Sequence, residues 1–190
     1  MEVMQLRKAS TAPQWADALP TAGSYFVLTP TDSSPQRLYQ QLWHSFYRWD
    51  DVGFIDPSDQ SVIPFLSVAD NILIDSPKND IVRLRQFLFD NEYTELNTHD
   101  FLDKPASNLN ETERFYVQLF RFLLLKRHYI ITTNFLDHQG VTTFRIFFNL
   151  LENVLQATGS HLIMVTGDQE MIDGQPSDRI LTADLFTDHD

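Results

Sequence analysis

Three stretches of the sequence bring chemically able side chains close together. Ser33-Ser34-Pro35 stands before a helix-forming run. A hydroxyl there can cap the helix, and free N–H groups at a helix start can also hold an anion. Asn110-Glu111-Thr112-Glu113 opens a second helix with the Asn-x-x-Glu spacing of a capping box. Its two carboxylates suit the helix dipole but would repel a bound anion. Asp56, Asp59 and Gln60 form a third group, either a displaced metal site or a solvated loop. The histidines His44, His99, His128, His138, His161 and His189 show no His-x-x-x-His ligand spacing. A Ser–His–Asp triad needs no sequence adjacency and stays open, although no Gly-x-Ser-x-Gly elbow is present. Phe144, Phe147 and Phe148 read as core in preference to a ligand box. Asp184, Asp188 and Asp190 read as a solvated acidic tail.

Composition narrows the classes. The chain has 190 residues, 43% hydrophobic and 21% charged, enough for one domain with a sizeable core. Cysteine is absent, which excludes disulfides, thiolate metal sites and a cysteine nucleophile. Fourteen basic against 26 acidic residues give a formal charge of −12, which argues against nucleic-acid binding. There are six glycines, against roughly thirteen for average usage. Few glycines weigh against a backbone phosphate cradle. No apolar run has the length of a membrane span and Met1-Glu2-Val3-Met4 opens no secretory signal, so a soluble intracellular protein is expected.

The elements that must position these groups alternate. Tyr25 to Leu28, Asp51 to Ile55, Tyr129 to Thr133, His161 to Thr166 and Ile180 to Leu185 are predicted strands. Gln36 to Trp49, Val68 to Ile74, Asp80 to Phe89, Asn110 to Lys126 and Val141 to Ala157 are predicted helices. Ser34 is placed to cap the first of these, with Pro35 at its first position. Ile146 and Leu150 make the last helix apolar on more than one face, which implies deep burial or a subunit contact. The order predicts an α/β fold with a mainly parallel sheet.

Read as motifs, four segments in order resemble the ATPase domain of ATP-binding-cassette (ABC) transporters. Pro64-Phe65-Leu66-Ser67-Val68-Ala69-Asp70-Asn71-Ile72 is similar to the segment after the family's Q-loop. Leu109 to Phe135 lies without a gap on the signature and Walker B region, with Arg114 and Arg121 on its arginines. Val165-Thr166-Gly167-Asp168 falls on Val-Thr-His-Asp, and Ser177-Asp178-Arg179-Ile180 follows it. Thr29 to Leu38 lies on the phosphate loop and shares Pro30, Ser33 and Leu38. The resemblance implies a P-loop NTPase-like fold over residues 1–190. It also implies an inserted helical subdomain at 71–126 and a reduced β-subdomain, part of which Met1 to Pro20 could keep. Trp15 is the candidate for an adenine-stacking aromatic.

The same alignment implies missing chemistry. The phosphate-loop glycines fall on Thr29, Asp32 and Ser34, and the lysine falls on Pro35. The magnesium-binding hydroxyl falls on Gln36, followed by Arg37. The Walker B Asp and the catalytic Glu fall on Thr133 and Asn134, which cannot hold a metal-ligated water or take its proton as carboxylates do. The signature falls on Asn110, Glu111, Thr112 and Glu113, the switch His on Gly167, and the D-loop Asp on Gly140, with Asp137 nearby. The Q-loop Gln falls on Pro57 or Ser58, with Gln60 displaced. The resemblance therefore implies a pseudo-ATPase with no catalytic residue, metal or cofactor, in the cytoplasm or held at the membrane's inner face by a permease. Its expected partners are an active ABC ATPase subunit, itself, or a permease. Residual ATP and magnesium binding with slow hydrolysis is the alternative, and an unrelated α/β protein is a further one. If the family reading holds, Leu28 and Ile131 are expected on adjacent parallel strands of one sheet.

Overall fold

The computed structural model describes residues 13–30, 33–56, 61–76, 81–91, 93, 96, 99–133 and 151–186. Their strands are β1 (Gly23–Leu28), β2 (Val52–Ile55), β3 (Tyr129–Thr133), β4 (His161–Thr166) and β5 (Ile180–Thr182). They form one parallel sheet in the order β2-β3-β4-β1-β5. Helix α1 (Pro35–Phe46) joins β1 to β2. The β2–β3 connection carries α2 (Val68–Ile72), α3 (Ile81–Asp90), α4 (His99–Leu102) and α5 (Glu111–Leu124). Helix α6 is described over 151–158, before β4, and α7 (Gln169–Ile172) lies between β4 and β5. No helix of the described residues is long and apolar enough to cross a membrane.

Two predicted strands, Tyr129 to Thr133 and His161 to Thr166, have the observed bounds. Both are short apolar runs closed by turn residues, the pattern of a strand buried on both faces. Other ends move. α1 stops at Phe46 and α2 at Ile72, and the predicted fifth strand stops at Thr182 before a 3-10 turn over Ala183–Phe186. Leu28 and Ile131 lie on parallel strands of one sheet as expected, but not on neighbours, because β4 stands between β1 and β3. Parallel strand order is set by which crossovers pack, and local pattern carries no trace of it.

Alternation along the strands makes a core on each face. Phe26, Ile130, Leu162 and Met164 point to the side covered by α2, α5, α6 and α7. Tyr25, Val27, Ile131, Ile163 and Val165 point to the side covered by α1 and the short turns Gln14–Ala18 and Ala183–Phe186. The chain crosses the sheet one way from β1 to β2 and returns through β3, β4 and β5. Right-handed crossovers therefore place α1 on one face and the later helices on the other. On β2, Gly53 lets α5 approach closely: a Cβ there would stand 2.6 Å from the Phe122 ring.

Candidate functional site

Open parallel sheets bind ligands outside the carboxyl ends of strands, where the chain reverses its direction across the sheet. Here that place is the end of β1 beside the end of β4. From β1 the chain runs through α1 to the far edge, and from β4 it runs to β5 at the opposite edge. Thr29, Ser33, Ser34, Pro35 and Gly167 all lie on the segments that leave these two strand ends.

The chain bonds to itself across this crevice, with Ser33, Ser34, Gly167 and Asp168 exposed at its rim. Thr29 donates its backbone N–H to the Thr166 carbonyl at 2.9 Å and its hydroxyl to the same carbonyl at 3.2 Å. Both threonines are buried. Thr166 Oγ1 accepts the Asp168 N–H at 3.0 Å, and the Asp168 carboxylate accepts the Glu170 N–H at 2.9 Å at the start of α7. The Pro35 ring lies over Gly167: a Cβ on that glycine would stand 3.3 Å from Pro35 Cγ and 3.6 Å from Thr29 Oγ1. Gly167 is thus matched to the space beside the ring, and any larger side chain there must move the proline.

The start of α1 is closed in the same way. The Ser33 N–H turns back to the Pro30 carbonyl at 2.8 Å. Pro35, at the first helical position, has no N–H. Ser34 takes the extended cap conformation, but its side chain makes no cap hydrogen bond, contrary to its expected role. The reason is a tightened first turn. The Ser34 carbonyl accepts from both Arg37 at 3.0 Å and Leu38 at 3.4 Å, so one of the two N–H groups a capping hydroxyl takes, that of Arg37, is already bonded. Gln36 and Arg37 are exposed, and Thr133 ends β3 half-buried. Asp32, Asn134, Asp137, Gly140, Pro57, Ser58, Asp59 and Gln60 lie outside the described residues, as do Phe144, Ile146, Phe147, Phe148 and Leu150.

The expected capping box at α5 is present. Asn110 Oδ1 accepts the Glu113 N–H at 2.9 Å, and Glu113 Oε2 accepts the Asn110 N–H at 3.0 Å. Lys104 Nζ donates to both Glu113 carboxylate oxygens, at 2.8 and 2.9 Å. This helix start therefore holds a carboxylate of its own chain where an external anion would have to sit. Glu111 is exposed and Thr112 half-buried. Arg114 Nη1 donates to the Leu109 carbonyl at 2.9 Å.

Asn71 has a role that its sequence does not announce. Completely buried, it accepts the Ile63 N–H at 2.7 Å and donates to the carbonyls of Ile63 at 3.0 Å and Ser67 at 2.9 Å. Arg121 Nε donates to the Asn71 carbonyl at 2.8 Å, and its Nη1 donates to the Ser61 carbonyl at 3.3 Å. Burial lowers the guanidinium pKa from its ordinary value, and Asp75 opposes the shift. Both residues lie in segments that carry the family resemblance, and in this chain both bind backbone.

Other candidates resolve into structure. Trp15 is buried against Tyr129, Phe46 and Phe186, with ring centroids 4.9, 5.8 and 5.4 Å away, so no stacking face is offered to a base. The residues around it from 13 to 20 form a 3-10 turn and no strand. The ion pairs His99–Asp103 and His128–Asp51 stand on the exposed surface, whereas a catalytic dyad needs a shielded orienting carboxylate. Among the described residues no group of three or more His, Asp or Glu is placed to hold a metal.

No family model matches the sequence, and no curated protein matches it. Solved structures do. CbiO1 from Clostridium perfringens, described as part of the ABC transporter complex CbiONQ, superposes with a TM-score of 0.63. The match covers 85% of this chain and 73% of that one, at 15% sequence identity. At that identity the likeness establishes the fold: the chain is built as an ABC ATPase-like α/β domain with a parallel sheet.

Proposed function

We propose that this chain is a pseudo-ATPase, an ABC ATPase-like domain kept as a binding or regulatory subunit without hydrolysis. The observation that carries the reading is the Pro35 ring on Gly167, with Thr29 and Thr166 bonded to each other beneath it. A nucleotide's phosphates need convergent N–H donors and a cation at such a place. Here the Thr29 and Ser33 N–H groups face the chain's own carbonyls, and the position aligned with the cation is a proline. The self-capped start of α5 supports the same reading, since Glu113 would repel a phosphate. The core around these places is intact, so the fold is retained where the chemistry is not.

The partners that fit this reading are an active ABC ATPase subunit, a second copy of the chain, or a membrane permease docked on the segment 71–126. CbiO1 itself belongs to a multi-subunit complex. The direct test is phosphate release from ATP with magnesium by the purified chain. Release no greater than that of a heat-denatured sample is expected. Steady turnover that disappears on Thr29→Arg substitution would overturn the reading and restore the enzymatic alternative.

A further inference from the structure

We draw no further inference here: the strongest candidate, the exposed cationic and aromatic strip that Arg37, Trp43, Tyr47 and Arg48 form along α1 and the turn after it, carries none, because nothing in the structure shows what covers it.

Discussion

Around α2 and α5, side chains hold backbone. At the carboxyl ends of β1 and β4, backbone holds backbone and a proline ring packs beside a glycine. In the first region Asn71 and Arg121 reach Ile63, Ser67 and Ser61 through four hydrogen bonds and each other through a fifth, and Lys104, Glu113 and Asn110 close the start of α5. In the second, Thr29 and Thr166 bond to each other and the Pro35 ring touches Gly167. Both regions carry family-like sequence. The difference teaches that side chains clamp the helices of the first region, whereas the strand ends of the second are held by main chain and by packing.

The comparison breaks if the first region proves dispensable. Asn71→Ala should have the largest effect. It leaves the Ile63 N–H without a partner and removes a second donor from the Ile63 and Ser67 carbonyls, which keep the Leu66 and Asn71 N–H groups, so a loss of about 3 kcal/mol is expected in urea unfolding. Arg121→Leu should follow at about 2–3 kcal/mol, because it strands the Asn71 and Ser61 carbonyls but also removes a partly desolvated cation. Asn110→Ala removes a helix cap and should lower stability by about 1 kcal/mol. Values near zero for all three would erase the distinction between the regions.

Substitution in the crevice sharpens the contrast from the other side. Pro35→Lys restores a cation but leaves the Ser33 N–H and the Thr29–Thr166 pair committed as before. A stability change within about 0.5–1 kcal/mol is expected, with no ATP-dependent rise in melting temperature. A clear rise with ATP would mean that one ring alone keeps the site shut.

The amino edge of the same strands should show the mildest response, to pH. His161 stacks on Tyr129 at 5.4 Å, and burial, with His128 and Arg179 nearby, lowers its pKa below the ordinary 6.5. The folded state thus binds this proton less readily than the unfolded chain does. The stabilisation is complete above about 6.5 and is lost as pH falls from there toward the lowered folded-state pKa. Urea midpoints of wild type should drop between pH 7.5 and 5.5 by more than those of His161→Gln.

Much of this was legible in the sequence. β3 and β4 were bounded to the residue because continuous apolar runs end at turn formers. The start of α1 was legible from Pro35, and the capping box of α5 from Asn110 and Glu113. The location of the crevice followed from motif spacing. The contact of Pro35 with Gly167 did not, because it joins distant segments and neither residue type announces it. Asn71 could be aligned, but the loop it clamps is defined only by burial. α4 and α7, four residues each, are too short to show a helical period. The central place of β4 depends on packing between distant strands.

One titration reaches the central claim most directly: ATP with magnesium into the purified full chain, by calorimetry at millimolar nucleotide. The pseudo-ATPase proposal predicts no saturable heat and an unchanged melting temperature. Saturable binding near one nucleotide per chain, abolished by Thr29→Arg, would contradict it and show that the strand ends still open to phosphate.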